Sequence, residues 1–304
     1  MRISNKQNVA FRVMAVDIDT GEAWMADEDR YDVVDLEQVR RRQAAIEKHK
    51  AMMKGASSRM NPDKFIWEIY ELSTMRDDGI SPANVTRMIY LSTFLGYDGS
   101  LVHSNGKPIQ YADLAGLLGI SDRAFRDFWK EMTAAGVFRE KNGAVLVDKD
   151  RFRRGRLKDK DVGALAAKGQ FLTRLYTNGV RQLYESATPR SHKTLSYMFQ
   201  ILPFVNREHN IVCHNPLETD VDKINRMTLG EFCDLMGYDR DNATRLSKAL
   251  FEPTFTVKGQ EQHAMRYVLA TSLKREEYRM FINPNVYYAG SDWKQVEILG
   301  AFKG

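Results

Sequence analysis

The sequence predicts a mostly α, α+β protein in which two tandem winged helix–turn–helix domains follow an N-terminal hairpin and helix. "PIQYADLAGLLGISDRAFRDFWKEM" (Pro108–Met132) and "RMTLGEFCDLMGYDRDNATRLSKAL" (Arg226–Leu250) share one pattern: a short apolar-periodic helix, a glycine turn, a capping residue and a longer helix. Each is followed by strand-like residues. Each then ends in a similar segment, "VLVDKDRFRRG" (Val145–Gly155) and "MFINPNVYYAG" (Met280–Gly290), and these align without a gap. The second half of the chain therefore repeats the first.

Composition sets few limits on function. The 304 residues carry 45 basic and 40 acidic side chains, and a net charge of +5 permits nucleic-acid binding without requiring it. The chain has two cysteines, Cys213 and Cys233, no apolar N-terminal stretch behind a basic start, and no apolar run near the ~18 residues of a membrane span. We therefore expect a cytoplasmic protein of a bacterial cell or phage-infected host, with reduced thiols and no membrane contact.

Residues 1–62 are predicted to form an N-terminal extension. Alternation around Phe11, Val13 and Ala15, a turn at "DTGE" and a second apolar stretch indicate a small hairpin. An acidic patch follows, and then a basic helix is expected over Leu36–Gly55. That helix would contact nucleic acid, or equally well pack on the first repeat or on a second subunit.

The first repeat is assigned to residues 63–160. "KFIWEIYEL" (Lys64–Leu72) places Phe65, Ile69 and Leu72 on one helical face, so a helix is predicted there. A second helix is expected after Ser81-Pro82. The helix–turn–helix unit then leads to a β-ribbon that turns at Asn142-Gly143.

The second repeat is assigned to residues 161–304. Gln170–Ser186 resembles the start of the first repeat, since Phe171 and Tyr176 answer to Phe65 and Tyr70 in their spacing. Its predicted wing is longer, spans Phe255–Phe281 and bends at Lys258-Gly259. Matching positions lie farther apart toward the C-terminus, as insertions after a duplication would produce.

The second helix of each helix–turn–helix unit is predicted to read the major groove of DNA. Ser121 and Asp239 are the expected N-caps of these helices. On the first of them, we expect the apolar residues to turn inward: Phe125, Phe128, Trp129 and Met132.

The predicted DNA contacts combine base readers on the helices with phosphate contacts from the wings and from the basic run "RFRRGRLK". Arg245 suits guanine and Asn242 suits adenine. The contacts expected in the first repeat are Ser121, Arg123, Arg126, Lys130, Arg139, Lys141, Asn142, Arg153, Arg154 and Arg156. Those in the second repeat are Arg240, Asn242, Thr244, Arg245, Lys248, Lys258 and Arg266. The alternative interpretation is that these are solvated helix faces and a solvated connector between domains, or protein-docking surfaces.

The second repeat resembles the RepL-type replication proteins of Gram-positive plasmids and their phage-encoded relatives. The resemblance rests on the run from "FLTRLYTNGVRQLYES" through the second helix–turn–helix to the closing "NP…G" segment, here Asn283-Pro284 and Gly290. The first repeat resembles the family more weakly, because Asp148-Lys149 stands in place of Asn-Pro. The resemblance implies origin binding during plasmid or phage replication.

No enzyme active site, metal site or cofactor is predicted. The chain has no GxxxxGK[ST] phosphate loop, no histidine pair separated by a single residue, and no recombinase-like Arg, His and Tyr set. One cluster contains potential zinc ligands, but its spacing fits no common zinc finger: His209, Cys213, His214 and Cys233.

These observations predict a sequence-specific double-stranded DNA-binding protein that serves replication initiation or its control. A phage or plasmid transcription regulator is the alternative within the same class. A winged-helix scaffold or inhibitor that docks on a host protein is the alternative of another class. Host replication or transcription proteins are therefore candidate partners beside DNA, and homodimerisation is left open.

Overall fold

The computed structural model describes residues 12–16, 23–27, 63–270 and 277–302. Of these residues about 39% are helical and 24% lie in strands, which form several antiparallel sheets. The fold class predicted from the sequence is therefore wrong, because this is a mixed α/β protein and not a mostly α pair of tandem winged helices. The chain divides into two compact units, Met1–Met53 and Lys54–Gly304, called here the N-terminal unit and the main unit.

The described part of the N-terminal unit is a pair of antiparallel strands. Strand β1 (Arg12–Val16) pairs with β2 (Ala23–Asp27), with Met14 opposite Met25. The expected hairpin is therefore present. The basic helix predicted over Leu36–Gly55, and the acidic patch before it, lie outside the described residues.

The main unit contains both repeats. In the first repeat the elements are β3 (Phe65–Glu71), α1 (Pro82–Ser92), α2 (Leu114–Leu118), α3 (Asp122–Ala134), β4 (Phe138–Lys141), β5 (Ala144–Val147) and β6 (Phe152–Arg153). Helix α4 (Asp159–Ala167) follows, and the predicted boundary between residues 160 and 161 falls inside it. In the second repeat the elements are β7 (Gln170–Tyr176), α5 (Thr177–Ser186), α6 (His192–Gln200), α7 (Leu229–Leu235), α8 (Ala243–Phe251), β8 (Thr254–Val257), β9 (Gln260–His263), β10 (Met265–Ala270), β11 (Glu277–Ile282), β12 (Tyr287–Tyr288) and α9 (Trp293–Gly300).

A four-stranded antiparallel sheet joins the two repeats, in the order β12-β7-β3-β6. Its centre is the β3–β7 ladder, in which Phe65 lies opposite Tyr176 and Glu71 opposite Gln170. The segment predicted as a helix from Phe65 and Ile69 is thus a strand. Both faces of β3 are buried, so its apolar residues do not alternate with polar ones, and helical spacing appears by coincidence.

The two repeats share one large core. This core includes Ile66 and Leu175 on one side of the central sheet. It extends through α1 and α6 to Phe128 of α3 and Leu246 of α8. Helix α1 packs against α6, where the Thr86 hydroxyl donates to the His192 carbonyl over 2.8 Å. Both segments that were predicted as helix–turn–helix units are therefore anchored in a single packed interior.

Matching backbone hydrogen bonds define which residues of the two repeats are equivalent. Ile69 N donates to Arg151 O over 2.9 Å, and Tyr176 N donates to Val286 O over the same distance. The Asp150 amide donates to the Asp148 carboxylate (3.1 Å), as the Asn285 amide donates to the Asn283 side chain (2.9 Å). The gapless alignment of the two closing segments is thereby confirmed.

The alignment of β3 with β7 by the spacing of their Phe and Tyr residues is wrong by one residue. Because Ile69 is equivalent to Tyr176, Trp67 is equivalent to Arg174. Both side chains donate 3.0 Å hydrogen bonds to matching glycine carbonyls, Trp67 Nε1 to Gly155 and an Arg174 guanidinium nitrogen to Gly290. A shift of one residue moves every side chain to the opposite face of a strand. The symmetry of the sheet therefore becomes visible only with the corrected alignment.

The hairpin equivalent to β4–β5 is β10–β11, and β8–β9 is an additional hairpin. Asp148 N donates over 2.8 Å to the carbonyl of Val137, the residue just before β4. The equivalent Asn283 N donates over 2.9 Å to the carbonyl of Ala264, the residue just before β10. The wing predicted over Phe255–Phe281 is therefore two hairpins in succession.

Candidate nucleic-acid interface

The first helix pair consists of α2 and α3. Gly119 ends α2 with φ of 61°, a left-handed conformation that glycine adopts without strain. Ser121 then caps α3, since its Oγ accepts from Ala124 N over 3.4 Å. The N-cap predicted from the sequence is confirmed.

The apolar face of α3 is fixed in the core. Phe125, Phe128 and Met132 are buried as expected, and Trp129 is half-buried against the Tyr111 ring with centroids 4.9 Å apart. Glu131 adds a polar clamp, because its Oε2 accepts from the amide and the hydroxyl of Ser81 and from Asn84 Nδ2 at 2.8–3.0 Å.

Sequence reasoning missed the Glu131 clamp. Its only sequence signal is an acidic residue next to the inward apolar face of a predicted helix. In the structure the clamp ties α3 to the N-terminus of α1.

The opposite face of α3 is open to solvent. Arg123, Arg126 and Lys130 are exposed, and in the described part of the chain their side chains make no hydrogen bond or ion pair. Asp122 and Asp127 are exposed on the same helix and reduce its positive potential. This face offers two arginines near the start of a helix, with acidic neighbours.

The second helix pair consists of α7 and α8, but α8 begins later than predicted. Gly237 turns the chain with φ of 60°. Asp239 is a cap, as predicted, and accepts from Asp241 N over 3.0 Å. It caps a 3₁₀ turn over Arg240–Asn242, and the α-helix starts only at Ala243. The predicted base reader Asn242 therefore lies on the turn that precedes the helix.

Arg240 is held within the protein. Its Nε donates to Asp234 Oδ1 over 2.7 Å, and its Nη2 contacts Asp234 Oδ2. This fork-shaped hydrogen-bonded pair raises the pKa of the guanidinium and lowers the pKa of the carboxyl. Contact between Arg240 and a phosphate would compete with this pair, which fastens the turn to α7.

The remaining predicted contacts on α8 are accessible. Thr244, Arg245 and Lys248 are exposed, while Leu246 and Leu250 on the other face are buried. In the described part of the chain, Arg245 and Lys248 make no side-chain hydrogen bond or ion pair. The exposed face of α8 carries no acidic residue between Ala243 and Phe251, so it is more positive than that of α3.

The predicted phosphate contacts lie on different hairpins and differ in their exposure. Arg139, Lys141 and Asn142 are exposed on β4–β5, whose turn has φ of 54° at Asn142 and 80° at Gly143. On β10, Arg266 is half-buried.

Lys258 lies on the additional hairpin β8–β9, away from the expected wing position. Its Nζ lies 5.9 Å from the centre of the Trp293 ring. This hairpin is tied to α5, since the Gln182 side chain donates to Thr256 O (3.0 Å) and accepts from Thr256 N (2.8 Å).

Three arginines of the basic run have structural partners. The Arg151 guanidinium forms a hydrogen-bonded ion pair with the Asp78 carboxylate. Arg153 Nε donates to Lys149 O over 2.7 Å, and an Arg154 guanidinium nitrogen donates to Leu95 O over 2.5 Å. Arg154 also lies over the Tyr97 ring, 4.9 Å from its centroid. Arg156 is exposed. The run therefore serves the fold at Arg151, Arg153 and Arg154, and its Arg156 side chain is accessible to a ligand.

The potential zinc ligands take separate structural roles. Cys213 and Cys233 are buried free thiols, and burial raises the pKa of Cys213 to about 12. His214 Nε2 lies 3.5 Å from Glu231. Among the residues that the structure describes, no three His, Cys, Asp or Glu side chains are grouped to hold a metal ion. Within the same ranges, every helix is too short or too polar to cross a bilayer.

No protein-family model, curated protein or solved structure matches this chain.

Proposed function

We propose that this protein binds double-stranded DNA at specific sites through the two helix pairs. The observation that carries the proposal is the exposure of the basic, polar faces at the starts of α3 and α8. Their apolar faces are buried in the shared core, so each helix is held rigidly while Arg126 and Arg245 remain accessible. In helix–turn–helix proteins the side chains in this position contact base edges in the major groove.

The two faces differ in what they would recognise. Arg123 and Arg126 on α3 each suit guanine, which presents two acceptors in the major groove. In the second helix pair, Arg245 suits guanine and Asn242 suits adenine. Arg139 and Lys141 on the β4–β5 hairpin are placed beside the first helix pair and suit phosphate contacts.

Salt dependence of binding tests this proposal directly. If the protein neutralises about 6–10 phosphates, its affinity for a duplex should fall roughly 10³–10⁵-fold between 50 and 200 mM salt. The combined variant Arg126→Ala/Arg245→Ala should weaken binding and flatten the salt dependence. Arg190→Ala, which removes an exposed arginine from the loop between α5 and α6, is the matched control. Undetectable or salt-insensitive binding of the native protein would contradict the proposal.

We propose replication initiation, or its control, in a plasmid or phage as the biological role. The support is the resemblance of the second repeat to RepL-type proteins, including Asn283-Pro284 and Gly290. A transcription regulator would use the same surface. Sequencing of fragments bound from the genome of the host and its mobile elements separates the two roles, since repeats at an origin indicate replication and an operator over a promoter indicates regulation.

A docking function is the second candidate, and one surface favours it. Tyr267, Leu269 and Tyr278 are exposed together on β10–β11, with the two tyrosine rings 5.1 Å apart. Apolar side chains grouped on a surface are typical of protein interfaces. A host protein that is retained by the native chain and lost with Tyr278→Ser would support docking, whereas unchanged DNA binding in Arg126→Ala/Arg245→Ala would count against DNA readout.

A further inference from the structure

We propose that the DNA target is an imperfect inverted repeat, read by one chain with one half-site for each helix pair. The inference rests on the proposed function and specifies its substrate. Its basis is an approximate two-fold axis that relates the two repeats within the main unit.

The axis is fixed by the central ladder. When two antiparallel strands consist of equivalent residues, a two-fold axis perpendicular to the sheet relates one strand to the other. This axis passes between the two equivalent residues that lie directly opposite one another. Trp67 and Arg174 are equivalent and lie directly opposite one another. The axis therefore passes through the Trp67–Arg174 pair.

The outer strands obey the same axis. In the first repeat β6 pairs with β3 by placing Arg153 opposite Trp67. In the second repeat β12 pairs with β7 by placing Tyr288 opposite Arg174, the residue equivalent to Trp67. The sheet order β12-β7-β3-β6 consequently reads the same from both ends.

The symmetry continues into the segments that carry the helix pairs. Leu101 N donates to Val145 O, as Val212 N donates to Met280 O, each over 2.9 Å. Ile109 N then donates to Leu101 O over 2.9 Å, as Met227 N donates to Val212 O over 3.0 Å. These bonds lead directly into α2 and α7.

The helix pairs themselves match in their turns and in their buried positions. Gly119 and Gly237 are left-handed at the ends of α2 and α7. Two of the three buried residues of α3 have buried counterparts in α8, namely Phe128 with Leu246 and Met132 with Leu250. The same axis that relates β3 to β7 therefore relates α3 to α8.

Two-fold-related helices require a two-fold-related target. B-form DNA has local two-fold axes perpendicular to its length, and an inverted repeat extends that symmetry to the base sequence, as in the operators of dimeric repressors. A direct repeat would need the second helix pair translated without rotation. The ladder through Trp67 and Arg174 excludes that relation.

The half-sites should differ in sequence because the two readers differ. Arg126 is equivalent to Thr244, and Asp127 to Arg245, when the caps Ser121 and Asp239 are matched. Among the predicted contacts on these helices, Lys130 and Lys248 are equivalent and carry the same side chain. The inverted repeat is therefore imperfect.

The test uses the full-length chain and duplexes selected from a random-sequence library. The recovered site is compared with one in which one half is reversed to make a direct repeat at unchanged spacing, and with one in which that half is scrambled. We expect the reversed and scrambled duplexes to bind at least about tenfold more weakly. Equal or tighter binding of either duplex would overturn the inference while leaving DNA binding intact. A lack of salt-sensitive binding to any duplex would overturn the proposed function and this inference with it.

Two variants assign the half-sites. Arg126→Ala should relax base preference in one half, and Arg245→Ala in the other, while Arg190→Ala changes neither. Both residues are exposed, so the substitutions leave the core untouched. Loss of preference in the same half for both variants would contradict the two-fold arrangement.

Discussion

At the residue scale, Glu68 is the least expected side chain of the fold. It lies buried in the centre of β3 opposite Thr173, and its Oε2 and the Thr173 hydroxyl have no hydrogen-bond partner in the described part of the chain. Burial raises the pKa of Glu68 to about 7, although Arg151 and Arg76 act in the opposite direction. A carboxyl in this position prefers to be neutral in the folded protein.

Glu68→Gln should therefore remove a pH-dependent loss of stability. Because the pKa of Glu68 is higher in the folded than in the unfolded chain, its contribution is fully present below about pH 4.5 and is lost as the pH rises toward 7. Across this window the stability of the native protein relative to the variant should fall by about 1.4 kcal/mol per pH unit, and then level off. Urea unfolding at pH 5–8 measures it.

The control for this prediction is Glu71→Gln, an exposed glutamate of the same strand. It should leave the pH dependence unchanged. A constant difference in stability between the native protein and Glu68→Gln over pH 5–8 would contradict the assignment of a raised pKa.

Local residue patterns were readable from the sequence, and distant partners were not. The Ser121 cap and the burial of Phe128 follow from spacing within one helix. Arg154, in contrast, appears in the sequence as a free basic residue. Its partner, the Leu95 carbonyl, is far away in the chain and becomes visible only in the folded structure.

At the element scale, α3 and α8 differ in charge. Asp127 of α3 corresponds to Arg245 of α8 when their caps are matched, and both side chains are exposed. An aspartate in this position would repel phosphate, so under the proposed function we expect α3 to bind DNA more weakly than α8. The difference follows from the sequence once the helix ends are known.

Asp127→Arg should consequently strengthen DNA binding. One additional phosphate contact corresponds to roughly a fivefold gain in affinity at 0.15 M salt and a salt slope steeper by about 0.9. Titration of a fixed duplex at several salt concentrations measures both quantities. Asp77→Arg, with the same charge change in the exposed loop after β3, should give a smaller gain. Equal gains from the two variants would show that only net charge matters.

The helix predicted over Lys64–Leu72 shows why element type can be missed. The strand β3 is buried on both faces, so its apolar residues show no alternation. Its aromatic and β-branched residues favour a strand, but a run of this length fits either structure until its partner β7 is known. The Asn142-Gly143 turn, whose geometry is set by two adjacent residues, was predicted correctly.

At the scale of the whole molecule, the sequence shows the duplication but does not show that the two copies share one sheet. The matching closing segments predicted a duplication, and their equivalent hydrogen bonds agree residue by residue. That the two copies share one sheet depends on non-local pairing between β3 and β7. Sequence spacing misaligned these strands by one residue, which hides the axis through Trp67 and Arg174.

The shared sheet and core also make the repeats interdependent. Because α1 packs on α6 and the central ladder crosses between the repeats, neither helix pair has a core of its own. The relative position of α3 and α8 is therefore set by the fold and not by a linker. A fixed arrangement of this kind suits a target with fixed spacing between its half-sites.

Hydroxyl-radical footprinting of the full-length chain on a selected duplex tests this account most directly. We predict two protected windows on one face of the DNA, about 10–10.5 bp or a multiple apart, related by inversion of their sequence. Arg245→Ala should weaken one window more than the other. A single window, windows that repeat in the same direction, or uniform cleavage in the presence of saturating protein would contradict it.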